Sequence, residues 1–313
     1  MDLIVVILVL VAAVLHATWN AVVKIDTDRL MTMAVMIATT GILAPLLLLL
    51  GPAPTQESWP YILLSALLNN VYFLFLIEAY RFGDLSLVYP VARGSAPLLV
   101  AAGAFWFAGE HLDVMELTGV IVISGGIISL VWSADVHLGG ERRAVAFSLL
   151  TGLMIATYTV IDGIGVRLSG NPAGYIGWLF ILNPVPIVII AVARRRGQVF
   201  VFLRTNWRLP VLGGGLNLGA YGLAIWALTL GTMAHVSAIR ETSVIIAALI
   251  GSRLLREPFG RQRVLAATVV TCGVMLIALQ NYLSATKEEL AFMLSPINTY
   301  GVIWESAESF IEA

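Results

Sequence analysis

Val88-Tyr89-Pro90-Val91-Ala92-Arg93-Gly94-Ser95-Ala96-Pro97 sets an arginine several residues inside an apolar run long enough to cross a bilayer. A guanidinium keeps its charge when buried. At the centre of a membrane helix it costs roughly 2.5–3.5 kcal/mol even on the lenient insertion scale. A second stretch, Ser237-Ala238-Ile239-Arg240-Glu241-Thr242-Ser243, places another arginine at the matching point of a later apolar run. The rest of the chain reads as the scaffold that brings these two segments together.

Composition places that scaffold in a membrane. The 313 residues are 59% hydrophobic and 12% charged, against about 25% charged in a soluble domain. Net charge is −1, and no basic patch interleaved with aromatics marks a nucleic-acid partner. The single cysteine, Cys272, has no intramolecular disulfide partner. The first apolar run lacks a basic n-region and a clear cleavage site, so it reads as a retained first span.

Ten segments approach the ~20 apolar residues that a bilayer demands. They fall near 3–23, 30–50, 59–80, 85–107, 114–132, 144–164, 174–193, 209–230, 234–255 and 263–283. Turn chemistry or charge separates them, as in Gly51-Pro52-Ala53-Pro54. A shift of 147 residues lays Asn70 on Asn217, Arg93 on Arg240, Ser95 on Thr242, Glu110 on Glu257, Ser124 on Thr271 and Gly126 on Gly273. Six pairs at one offset indicate duplication. The expected organisation is a five-helix repeat over 1–132, a linker at 133–143, a second five-helix repeat over 144–283 and an acidic tail at 284–313. Five is odd, so the second copy enters the membrane inverted. The fold class is therefore an all-α membrane protein of ten transmembrane helices in two inverted repeats, with a site near midplane between them.

Basic residues orient the chain. Of the 18 lysines and arginines, only Arg167 and Lys287 fall on the side opposite the rest, while Arg93 and Arg240 lie within spans. Basic loops stay cytoplasmic, which puts both termini outside a cell (inner) membrane. The tail, carrying Glu288, Glu289, Glu305, Glu308 and Glu312, is too interrupted for another span. It reads as a surface amphipathic helix or a disordered segment.

The candidate site follows from polar residues in the spans. Pro90 and Pro97 each remove a backbone donor and predict a distorted helix around Arg93. Tyr89, Arg93 and Pro97 share one helical face. Arg93 either receives an anionic group or pairs internally with Glu241. Arg240 and Glu241 point about 100° apart, so one reaches the cavity while the other pairs with a neighbouring helix. With Glu241 the one carboxylate counted, the intramembrane charge is about +1, which favours an anionic or zwitterionic substrate. His16 and Asn20 share a face with Lys24, and His16 is either a proton relay or an interhelical hydrogen-bonding group. Glu241 is the second proton-coupling candidate. Ser95, Thr242, Asn70, Asn217, Tyr221, Tyr72, Tyr158 and Trp19 complete the expected lining. Glu78, Arg81, Asp162 and Arg167 lie near span ends, where exposure makes charge cheap, and Glu110 and Glu257, which begin short loops, read as structural caps or interface charges. No metal-ligand spacing, nucleophile elbow or phosphate loop appears, so neither an enzyme nor a cofactor is expected.

His16-Ala17-Thr18-Trp19-Asn20 followed by Lys24, Tyr89-Pro90-Val91-Ala92-Arg93-Gly94 and Arg240-Glu241-Thr242-Ser243 together resemble EamA-like members of the drug/metabolite transporter superfamily. The resemblance covers roughly residues 3–283. It implies a metabolite transporter, often an exporter, that alternates between inward- and outward-open states, and it names no substrate. It also implies cytoplasmic termini, where the charges favour external ones. The expected partners are a small-molecule metabolite and the lipid bilayer, as a monomer or a homodimer. The rival readings are an exporter of organic cations, built on a carboxylate beside aromatics, and a membrane receptor or lipid-modifying enzyme.

Overall fold

A computed structural model describes residues 3–25, 28–82, 85–133, 142–246, 265 and 268–277. Glu257, the later part of the ninth expected span, the ends of the tenth, most of the 133–143 linker and the acidic tail lie outside those residues. All regular structure among the described residues is helical. The helices are α1 (Leu3–Ile25), α2 (Arg29–Leu43), α3 (Trp59–Phe82), α4 (Leu85–Ala108), α5 (Val114–Ser133), α6 (Arg142–Leu168), α7 (Pro172–Leu182), α8 (Pro184–Arg195), α9 (Gln198–Asn206), α10 (Arg208–Leu230) and α11 (Met233–Arg240). A further apolar helix covers Thr268–Ile277. Seven of the described segments are long and apolar enough to cross a membrane.

Local chemistry sets where these helices start and stop. The Asp28 carboxylate accepts from the Met31 amide at 3.2 Å and caps α2, and Asn171 does the same for α7 through Ala173, with Pro172 in the first turn. Gly109 and Gly170 close α4 and α6 with φ of 66°, a left-handed conformation that costs glycine little. Asn183 interrupts the seventh expected span, because Pro184 cannot donate into the preceding turn. The second span tightens into a 3₁₀ turn over Ala44–Leu50 around Pro45.

One expectation needs correction. The helix around Pro90 and Pro97 is not broken: α4 runs continuously from Leu85 to Ala108. It is clasped along its length by α5 and α6, and Gly94 lies directly against Ile127 and Ile128. The discontinuity instead falls in the other motif. There α11 ends at Arg240, Glu241 sits in a turn whose amide donates to the Ala238 carbonyl, and helix resumes over 242–246. The break between the seventh and eighth expected spans, 194–208, carries a helix of its own. This is α9, whose Phe202 packs with Met31, Ala34 and Ala191 while Phe200 and Val201 stay exposed.

Packing is centred on α6, which lies along both α3 and α4, and on α10, which lies along α1 and α2. Small residues let these backbones approach, as expected where lipid supplies no hydrophobic drive between helices. Exposed Leu3, Ile4, Leu46, Leu49, Trp106, Phe107 and Ile189 make an apolar outer surface suited to lipid.

The Gly213-Gly214-Gly215 run separates packing from freedom. A Cβ on Gly214 would meet the Met36 carbonyl oxygen and Thr39 Cβ at 2.6 Å, whereas one on Gly215 would meet nothing within 4 Å. Gly214→Val should therefore destabilise the purified protein by about 1–3 kcal/mol through forced separation of α10 and α2. Gly215→Ala should be neutral or stabilising by up to about 1 kcal/mol. Thermal unfolding midpoints in detergent check both.

Candidate functional site

The site is built where α1, α3, α4 and α6 meet. His16, Asn20, Tyr72, Leu76, Ala92, Arg93, Thr151 and Ile155 line a cleft of about 10 Å³, roughly the space of one water. A cleft of that size is too small for a metabolite.

Arg93 is 3% exposed and its Nε donates to Glu241 Oε2 at 2.9 Å; Nη2 reaches Ser243 Oγ at 3.5 Å. This pair ties α4 to the turn after α11. Glu241 is wholly buried. Removing such charges from water is costly, and their attraction in a low-dielectric interior roughly offsets that cost. Of the two roles open to Arg93, the internal pair is the one formed here.

Arg240 is in a different position. It is 5% exposed, forms no ion pair among the described residues, and its Nε has no hydrogen-bond partner among them. Its guanidinium sits beside the Tyr158 hydroxyl. Tyr158 continues an edge-to-face aromatic series, with centroids 5.8 Å from Tyr72 and 5.8 Å from Tyr221. Tyr221 in turn donates to Asp162 Oδ2 at 2.5 Å, and Tyr175 donates to Asp162 Oδ1 at 2.9 Å.

Asp162 is the residue that sequence reasoning misplaced. It is 1% exposed rather than an exposed span-end charge. The expected span stopped at 164, but α6 continues to Leu168, one turn further, which carries Asp162 inward. Its signal was present in the i, i+4 spacing from Tyr158. Asp162 also changes the buried balance. With Arg93, Arg240 and Glu241 it makes two positive and two negative charges, so the net is zero rather than +1.

The other expected residues divide. His16 and Tyr72 line the cleft with Asn20, whose Nδ2 donates to the His16 carbonyl at 2.8 Å. Trp19 packs edge-to-face on His16, in an apolar cluster with Met33, Met36 and Ile37 of α2 and Ala220 of α10, and is not among the residues lining the cleft. Asn70 donates to both the carbonyl and side-chain oxygens of Asn183 and so splints the break between α7 and α8. Ser95 bonds back to the Ala92 carbonyl and abuts Gly152 on α6, while Thr242 bonds back to Ile239. Asn217 is buried on α10 away from the cleft lining. The side chains of Tyr89 and Lys24 are outside the described part. Glu78 and Arg81 are exposed and paired at 3.6 Å. No group of potential metal ligands occurs among the described residues.

One end of the bundle is closed by a polar cluster. Glu110 Oε1 meets Arg167 Nη1 at 2.7 Å, and Glu110 Oε2 accepts the amide of Met233 at 2.8 Å, at the positive start of α11. Arg167 also donates to the Leu228 and Gly231 carbonyls, and His235 meets Glu116 at 3.2 Å. Glu110 thus caps α11 and also pairs with Arg167.

A family model for the EamA-like transporter family matches residues 3–132 and 142–279. The chain belongs to the EamA-like transporter family. It is therefore a multi-pass membrane protein of the drug/metabolite transporter superfamily. Twenty-nine solved chains also match. One of them, titled only "Crystal structure of protein", shares 13% identity with a TM-score of 0.69, over 88% of this chain and 96% of its own. At that identity the likeness is one of fold. No curated protein matches the chain.

The buried pair yields a stability test. Arg93→Met should destabilise the protein by about 3–5 kcal/mol, because Glu241 is left charged and unpaired, and Arg93→Met with Glu241→Leu should recover most of the loss. Thermal unfolding of the three proteins in detergent measures it.

Proposed function

We propose that this EamA-family protein is a ten-helix secondary transporter that carries a small anionic or zwitterionic metabolite by alternating access. Arg240 is its ligand-binding charge. The observation that carries the reading is the asymmetry of the two arginines: Arg93 is spent on Glu241 at 2.9 Å, while Arg240 is buried without an ion pair among the described residues. A buried guanidinium with unused donors is suited to a carboxylate, phosphate or phosphonate, which it binds in a planar, bidentate manner. Tyr158, Tyr72 and Tyr221 supply an aromatic wall beside it.

Two inverted five-helix repeats are supported by the constant offset of the two arginine motifs and by the two stretches over which the family model matches. In this reading the Arg93–Glu241 pair joins the repeats, and the site between them opens to either side as the halves rock. Export is the direction the family resemblance implies.

The basic-residue bias leads us to place both termini outside the inner membrane. A carboxy-terminal reporter that works only in the cytoplasm should then be silent, and activity would reverse the topology.

Flux into proteoliposomes tests the substrate class, using labelled glutamate, succinate, methylphosphonate and tetraphenylphosphonium. An anion or zwitterion should be carried, with Arg240→Gln slowing it at least about tenfold and Arg240→Lys less, since a point charge replaces a bidentate fork. Carriage of the organic cation alone, unaffected by Arg240→Gln, would favour a cation exporter using Asp162. No flux of any compound would favour a receptor or enzyme.

A further inference from the structure

Asp162 is buried, titratable and not used in that transport reading. It stands about 9 Å below the end of α6, at 1.5 Å per residue from Leu168, and Arg240 lies about 11 Å below the start of α11 at the same end. Asp162 therefore lies slightly nearer than Arg240 to the end closed by Glu110 and Arg167. Every element packed around it contributes a polar group. Ser65 and Asn69 come from α3, Tyr158 from its own helix α6, Tyr175 from α7, Tyr221 from α10 and Arg240 from α11.

We infer that Asp162 is a proton-binding site coupled to occupation of the Arg240 site. The inference rests on Arg240 being the anion-binding charge. The chemistry is a proton addition and nothing else: one proton from the solution at the Glu110–Arg167 end joins a carboxylate oxygen of Asp162.

Two consequences follow from the geometry. An ionised aspartate accepts only, and here it takes the hydroxyls of both Tyr175 and Tyr221. Once protonated on Oδ2 it becomes a donor toward Tyr221, whose oxygen already accepts from Asn69 Nδ2 at 3.5 Å. The bond between α6 and α10 is then kept in the reverse sense but loses its charge assistance, which weakens it. The second consequence is one of charge. The four buried groups Arg93, Arg240, Glu241 and Asp162 sum to zero when all are ionised, so an anion entering alone leaves a net negative charge in a low-dielectric site. A proton on Asp162 cancels it. Anion and proton therefore load together and move in the same direction. An inward proton gradient then drives the anion inward, against the export that the family resemblance implies, unless the anion's own gradient is steeper.

Infrared difference spectra of the full-length protein in lipid, between acidic and alkaline buffers, test proton binding without any ligand. The expected result is a carbonyl band of a buried carboxylic acid at low pH that is lost in Asp162→Asn and kept in Glu241→Gln. Isotope-labelled aspartate gives the same assignment in the wild-type protein, should Asp162→Asn fail to fold: the band shifts with labelled aspartate and not with labelled glutamate. Absence of the band, or its persistence unshifted, overturns the proposal. Coupling is read from methylphosphonate and glutamate flux into vesicles holding a pH-sensitive dye. Asp162→Asn should still exchange the anion while losing several-fold acceleration by an acidic exterior, and a variant that keeps this acceleration overturns the coupling. Failure of the Arg240 reading is separate, since it appears as normal flux in Arg240→Gln with the aspartate band intact.

Discussion

The Arg93–Glu241 pair is the contact on which the rest of the arrangement depends. A charged arginine inside a membrane helix is costly, and for Arg93 the compensating carboxylate comes from a residue 148 positions later. Meeting it requires α4 and the turn after α11 to lie side by side. That requirement brings α6 against α4, and with it Tyr158, Asp162 and the aromatic series that reaches α10. The pair thus has a structural role as a registry contact, for which buried charges are well suited. It also frees Arg240 from an internal carboxylate.

The two arginines occupy equivalent places in the sequence and have diverged in use. Glu241 follows Arg240 in the chain, yet its carboxylate pairs with Arg93. One carboxylate adjacent to one arginine therefore neutralises the other. This leaves a buried positive charge walled by tyrosines, next to a carboxylate held by three hydroxyl-bearing side chains. A site with both signs of charge and one guanidinium without an ion pair among the described residues suits a ligand that brings a negative group.

Much of this was legible in the sequence, and the reasons for the exceptions are physical. Apolar runs located the helices, because membrane spans must satisfy their backbone internally and need a fixed length. Offset motifs paired Arg93 with Arg240 and brought Glu241 into contention as a partner. Proline misled at Pro90 and Pro97, since helix continuity depends on the neighbours that clasp α4 and not on local donors alone. The same residue type did break the seventh span at Asn183-Pro184, where no such correction was anticipated. Asp162 was misplaced by a boundary error of one helical turn, which for a carboxylate is the difference between solvent and core. Asn70, Ser95 and Thr242 were expected in the cavity because they are polar. Each instead bonds to a nearby carbonyl or across a helix break, the commonest outcome for small polar side chains in membrane helices.

The most direct measurement is a structure with the anion that vesicles carry fastest. That ligand should lie against Arg240 and Tyr158, with Arg93 still within hydrogen-bonding distance of Glu241. Ligand seated on Arg93 with Glu241 displaced would contradict it.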